Sequence, residues 1–312
     1  MYKIKEKPED FIVEEITNIE PKQKGRYSMW WMKKRELTTM DAVKKIAKKL
    51  RIKERFVGFA GIKDKKAVTK QLISISRAGK NKTEELDIEG IKLEFYGFSD
   101  KPVSLGDLEG NRFEITVRNL DKIENIENKK VKNLFGEQRF SSQNAEIGKL
   151  MIKKDFQNAA RKIAETEKEV AEYLDTNMTD HIGALRRLNI KILRIYVHAY
   201  QSYLWNKAAE EIDGDIELPI IGFDTEIEDT KIRELIEKIM KEEGITYRDF
   251  IIKEIPELSS EGGVRELFVK PQNFEILEKG EDELNQDKYK IKVRFFLPKA
   301  SYATEAIRQI FT

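Results

Sequence analysis

Cysteine is absent from the 312 residues of this chain, and histidine occurs only twice, at His181 and His198. Without cysteine there is no disulfide framework, no thiolate metal site and no cysteine nucleophile. Two histidines make a multi-histidine metal centre implausible and leave few centres for a Ser-His-Asp triad. No apolar run approaches the roughly 20 residues that span a bilayer. The N-terminus, MYKIKEKPEDF, lacks the apolar stretch of a signal peptide. A soluble, cytoplasmic protein is expected.

Charge is what the chain has in quantity. Lys+Arg total 58 and Asp+Glu 56, a net +2, and charged residues make up 37%. Soluble domains carry roughly 25%, and an excess of Lys and Glu is the bias of hyperthermophile surfaces. The near balance excludes a wholly basic nucleic-acid coat, but it leaves room for a local basic face. Such a face is visible from Lys44 to Lys70, where eleven bases meet only Glu54 and Asp64.

Strand-like text occupies both ends. Tyr2 to Lys5, Phe11 to Ile16, Tyr27 to Met32, Val57 to Ile62, Gln71 to Ser76, Ile91 to Tyr96 and Arg112 to Val117 read as strands, as do Leu267 to Val269 and Tyr289 to Phe296. Helical periodicity marks Met40 to Leu50, with Thr38 or Thr39 as N-cap, and dominates after about residue 121. The longest helix is expected over Ile192 to Ile212, with Ile195, Ala199, Tyr203 and Leu204 as its apolar stripe. The order predicts a sheet-based domain made from both termini with a helical insertion between.

Two stretches carry possible chemistry. Lys44, Lys45, Lys48 and Lys49 lie opposite an apolar helical stripe; they suit a solvated face or a phosphate-contacting one. They lead into GFAGIKDKKAVTKQ, where Asp64 stands between Lys63 and Lys65. Neighbouring cations hold a carboxylate ionised, and a dry pocket makes it a better nucleophile or base. An aspartate bonding its own turn has the same appearance. NLFGEQRF, Asn133 to Phe140, combines groups able to stack a base and bond its edge, although phenylalanines at a helix junction are commonly core.

Taken together, the segments resemble the TruD family of tRNA pseudouridine synthases, in its archaeal form. The resemblance rests on KEKPEDFIVEE (Lys5 to Glu15), FAGIKDKKAVTKQ (Phe59 to Gln71), NLFGEQRF and RFFLPKASYAT (Arg294 to Thr304), in the family's order. LGDLEGNRFEI and HAYQSYLWN support it. It implies an α+β fold: a catalytic domain with a mixed, largely antiparallel sheet flanked by helices, at 1–154 and 275–312. A mainly helical TRUD domain would be inserted at 155–274. It implies isomerisation of uridine to pseudouridine in tRNA, at position 13, without metal or organic cofactor; a monomer with no membrane partner is expected.

Residue by residue, Asp64 matches the catalytic aspartate, as nucleophile or as base. Phe135 matches the aromatic that packs on the target base, and Asn133 the asparagine near the carboxylate. Lys5 matches its basic partner, and Phe11 a pocket aromatic. Lys44, Lys45, Lys48, Lys49, Lys63 and Lys65 are the expected contacts to the RNA backbone. The alternative is an RNA-binding or RNA-chaperone protein that retains the fold without the chemistry.

Overall fold

The computed structural model describes residues 2–123, 125–140 and 143–312, apart from the side chain of Gln138. Gln138, one of the amides expected to bond a base edge, therefore lies outside the described side chains. The chain forms two compact units. One comprises residues 1–129, 270–303 and 311, the other 130–269, 304–310 and 312.

The first unit is built on one eight-stranded sheet. Its strands are β1 (Phe11–Ile16), β2 (Tyr27–Arg35), β3 (Val57–Phe59), β4 (Val68–Ile75), β5 (Ile91–Ser99), β6 (Gly110–Leu120), β7 (Gln272–Glu281) and β8 (Tyr289–Pro298). The order is β7-β8-β6-β1-β4-β2-β5, with β3 on β4. β1 and β4 are parallel and every other pair is antiparallel. The fold is thus mixed and largely antiparallel.

Alternation places Phe11, Val13 and Glu15 of β1 on a buried face and Ile12, Glu14 and Ile16 on a more open one. Helix α1 (Thr39–Leu50) begins where the Thr38 hydroxyl accepts from the Asp41 amide and ends at Arg51 in the left-handed region, φ 59°. It buries Ala42, Val43, Ile46 and Leu50 against Trp30, Met32, Ile73 and Ile75.

Tyr2 to Lys5 does not become a strand. It makes a single bridge, Lys3 to Arg118, because Lys5 turns the backbone at φ 60°. The two ends of this unit are held together at Arg118. Its buried guanidinium bonds Asp10 from the N-terminal side and Asp282 and Glu283 from the C-terminal hairpin, at 2.7–3.0 Å. One cation shared among three carboxylates keeps charges that burial would otherwise penalise.

The second unit is mainly helical. α2 (Asn144–Ile152), α3 (Phe156–Ala164), α4 (Ile190–Glu211) and α5 (Thr230–Glu243) enclose its core. The described residues of 130–154, a segment expected with the sheet, fold in this unit, with Ile147, Met151 and Ile152 in its core. Most of α6 (Ala303–Ile310) also belongs here. Its Gln309 bonds both the N–H and the C=O of Lys132.

The stripe expected on α4 holds at Ala199 and Leu204, which are buried, and fails at Ile195 and Tyr203, which are 44% and 39% exposed; Leu193, Tyr196, Val197, Tyr200 and Trp205 are buried as well. α4 is apolar around most of its circumference, so periodicity alone selects no face.

Candidate active site

β4 changes partner along one edge. It pairs with β1 over Val68–Lys70 and with β3 over Ile73–Ile75, while β2 runs along its other edge throughout. Gln71 and Leu72 fall in the gap, and the loop from β3 to β4, residues 60–67, begins and ends beside it. Backbone groups in such a gap need other partners. The Leu72 N–H donates to Glu15 Oε1 at 3.2 Å.

The rest of the gap is filled by side chains that tie down the loop. Glu15 Oε2 lies 2.8 Å from Lys63 Nζ, which also donates to Asn111 Oδ1 at 2.6 Å. Burial pushes the Glu15 carboxyl up from its ordinary range, and the Lys63 charge opposes that shift. The Gln71 amide donates to the Gly61 carbonyl at 3.0 Å and accepts from the Thr39 hydroxyl at 2.9 Å. Thr39 in turn accepts from the Lys63 N–H at 2.9 Å.

From this loop Asp64 presents a partly exposed carboxylate. Its Oδ2 lies 3.0 Å from Lys5 Nζ, with the side chains 29% and 12% exposed respectively. The same ammonium sits 4.0 Å from the centroid of the Phe11 ring. Lys5 is thus held between a carboxylate and an aromatic face. Its left-handed backbone, which costs an ordinary residue about 1–2 kcal/mol, is part of how it gets there. Phe11 is itself buried, edge-on to Phe113, and meets the site through Lys5.

Beneath the loop lies a residue that the sequence reading missed. Lys34 of β2 is 1% exposed, and its ammonium donates to the carbonyls of Leu37, at 2.6 Å, and Asp64, at 2.9 Å, with Lys63 O at 3.5 Å. Strand alternation puts Lys34 on the buried face of Trp30 and Met32, a sign masked by its charge and by Lys33 and Arg35 on either side.

The basic residues sort by exposure. Lys44, Lys45, Lys48 and Lys49 are exposed on α1, opposite its buried stripe, and Lys65 is exposed on the loop. Lys63 is not a surface cation. It is 7% exposed and engaged with Glu15 and Asn111, so its place among the expected backbone contacts is corrected to one in the loop's support.

Asn133 and Phe135 belong to the second unit and form a cluster of their own. Asn133 is buried; its Oδ1 accepts from Arg265 at 2.8 Å, and its amide N donates to Glu266 O at 3.3 Å. Arg265 also bonds the Asn133 carbonyl at 2.8 and 2.6 Å. The Phe135 ring, half-buried, meets the edge of Trp205 at 5.6 Å between centroids, and the Arg265 guanidinium lies 4.2 Å from its centre. Asn206 grips the Phe135 backbone, accepting from its N–H and donating to its C=O, both at 2.9 Å.

An aromatic on a rigid, cation-backed mount is suited to stacking a planar ring. Trp205 and Asn206 close the HAYQSYLWN segment and support Phe135 here. Among the described residues no cluster of three or more His, Asp and Glu is placed to hold a metal ion. No described helix is long and apolar enough to cross a membrane.

Comparison with known proteins agrees with these features. The model of the family tRNA pseudouridine synthase D (TruD) matches residues 2–166, 162–213 and 208–310. The tRNA pseudouridine synthase D of Aquifex aeolicus is 32% identical over 99% of this chain and 98% of that protein. A Methanocaldococcus jannaschii relative, named as a probable tRNA pseudouridine synthase D 2, is 33% identical over 99% of this chain and 91% of its own. The crystal structure of a Methanosarcina mazei protein described as a tRNA pseudouridine synthase D superposes with a TM-score of 0.74. It is 28% identical and covers 98% of this chain and 92% of that one.

Proposed function

The chain belongs to the tRNA pseudouridine synthase D family, and from that premise we propose that it isomerises uridine to pseudouridine in tRNA, at position 13, with Asp64 as the catalytic carboxylate. In this reaction the bond from the ribose to a uracil nitrogen breaks and one to a uracil carbon forms. A proton leaves that carbon and one is gained at the nitrogen, so the change needs no oxidant or reductant. What the protein must supply is an ionised, well-aimed carboxylate and a surface that holds the base while it is detached.

The observation that carries the reading is the Asp64–Lys5 pair at 3.0 Å on a loop anchored by buried hydrogen bonds. An ammonium there compensates the carboxylate's charge while leaving part of it accessible, as either nucleophilic attack or proton removal requires. A uridine within a stem must first be turned out of the stack, at a cost of a few kcal/mol. Phe135 is the surface we assign to the extruded uracil, with Asn133 beside it. The sheet-based unit is taken as the catalytic domain and the helical unit, which also holds the described residues of 130–154, as carrying the inserted TRUD domain expected at 155–274, the protein acting as a monomer without a cofactor.

The test is to incubate the purified protein with tRNA in the absence of any added cofactor and to map pseudouridine along the RNA. Modification confined to position 13, and absent from a transcript carrying cytidine there, is expected. Bound tRNA that acquires no pseudouridine would identify a binding protein instead.

The exposed face of α1 is proposed as a contact to the RNA backbone. Replacing Lys44, Lys45, Lys48 and Lys49 together by Gln is expected to weaken tRNA binding and flatten its salt dependence. Each lost phosphate contact should lower the slope of log K against log salt by about 0.9, taking duplex DNA as the guide. Binding titrations between low and moderate salt measure it. An unchanged slope would leave these lysines as a solvated face.

A further inference from the structure

Lys34 poses a question that the proposed chemistry leaves open. A buried ammonium is costly unless it is fully bonded. A methionine would fill much the same volume without that cost. Among the described residues no carboxylate lies within ion-pair distance of Lys34. The charged groups facing it are Asp64 and Lys63 on the loop and Asp41 on α1. Its ammonium is directed instead at backbone, with three N–H groups facing three carbonyls, those of Leu37, Lys63 and Asp64.

The first of these closes the turn between β2 and α1, and the other two belong to the loop that ends in the gap beside β4. Drawing consecutive carbonyls toward the buried side restricts how the loop backbone can rotate at Asp64. That side chain then reaches Lys5.

We propose that Lys34 is a positioning residue for the reaction: by collecting the carbonyls of Leu37, Lys63 and Asp64 it fixes the backbone that aims the Asp64 carboxylate. The inference rests on the reading of Asp64 as the catalytic carboxylate and adds a residue that touches neither substrate nor reacting atoms.

Its titration supplies a readout that a filler residue would lack. Burial pulls the Lys34 pKa down to about 8; Asp64 draws it up, Lys63 down and Asp41 up. Below that value the residue is charged in both folded and unfolded chains. Between about 8 and the ordinary 10.5, the unfolded chain holds the extra proton, so this group's contribution to stability rises with pH. The neutral amine, however, has two N–H groups for three carbonyls. Turnover should therefore decline above about pH 8 while the Lys34 contribution to stability grows, which separates loosened aim from unfolding.

Single-turnover rates, tRNA affinity, thermal melting and pH profiles of the full chain test this, with Lys34→Met, Lys34→Arg and Asp64→Asn side by side. Lys34→Met is expected to fold and to bind tRNA within about threefold of the wild type, yet to react about 100-fold more slowly, the scale of loss for a misplacement of about 1 Å. Arginine keeps its charge throughout the accessible range. Lys34→Arg should therefore recover much of the rate and lose the decline above pH 8.

A wild-type rate in Lys34→Met, or an unchanged alkaline decline in Lys34→Arg, overturns the role; should the methionine variant fail to fold, the arginine profile decides. If Asp64→Asn is inactive while Lys34→Met is normal, only the positioning role falls. If Asp64→Asn remains active, the premise about Asp64 falls instead.

Discussion

Asp64→Asn is expected to abolish pseudouridine formation while leaving the protein folded and able to bind tRNA. The substitution keeps the side-chain volume and removes one charge. What anchors the loop is backbone: the Asp64 carbonyl on Lys34, the Lys63 N–H on Thr39 and the Gly61 carbonyl on Gln71. None of these uses the Asp64 carboxylate, whose bonded partner is Lys5. An amide oxygen can still accept from that ammonium, and the Phe11 ring still faces it, so the local structure should survive.

The chemistry should not. An amide is neither a useful nucleophile nor a base at neutral pH, and loss of one member of a catalytic unit costs on the order of 10⁴-fold or more in rate. Single-turnover assays with tRNA, alongside melting curves and binding titrations, measure the three properties separately. Turnover within about tenfold of the wild type would remove Asp64 from the mechanism. Lost turnover accompanied by a large fall in melting temperature would make its role structural.

How much of this was legible in the sequence depends on what kind of signal each element leaves. α1 was readable because its lysines and its apolar residues segregate on opposite sides, and Thr38 caps it. β1 alternates clearly and falls where expected. β7 was not foreseen. QNFEILEKGE lacks alternation, and the strand is mostly exposed along its length with two irregularities in register. It is held by backbone pairing to β8, which side-chain patterns do not report. Charged residues and bulges suit such an outer strand, since they discourage pairing with another chain.

The candidate site divides in the same way. Asp64 and Phe135 stand out through their motifs, but the residues that hold them do not. Glu15 is the last residue but one of a strand of ordinary composition, yet its carboxylate fills the gap in pairing along one edge of β4. Lys63 belongs to an acid-poor basic stretch and reads as a surface cation; only the fold reveals Glu15 opposite it. Arg265 is distant in sequence from Asn133 and Phe135, and sequence spacing cannot disclose that its guanidinium serves both. What the motifs recorded beyond chemistry was support: Gln71 ends one and Asn206 another, and each fastens a backbone rather than facing a substrate.

That distinction shapes the expected behaviour of Phe135. Its backbone is fixed by Asn206 whatever the side chain, so Phe135→Ala should leave the turn in place. The ring's contacts with Trp205 and Arg265 would be lost, and some fall in melting temperature is expected. A half-buried ring should cost less than the roughly 3–5 kcal/mol of a fully buried phenylalanine. If the ring stacks on the extruded uracil, its removal forfeits about 1–3 kcal/mol, the value of a base–aromatic stack in single-strand binders. That interaction exists only once the base has left the helix. Phe135→Ala should therefore slow turnover by roughly 10- to 100-fold while tRNA affinity, set largely by backbone contacts, changes little. Phe135→Tyr keeps the stacking face and should retain much of the rate. A folded alanine variant that binds tRNA normally but reacts slowly would support the stacking role. If the alanine variant instead unfolds at assay temperature, or reacts at the wild-type rate, Phe135 is a packing residue of its own unit and the base must be held elsewhere.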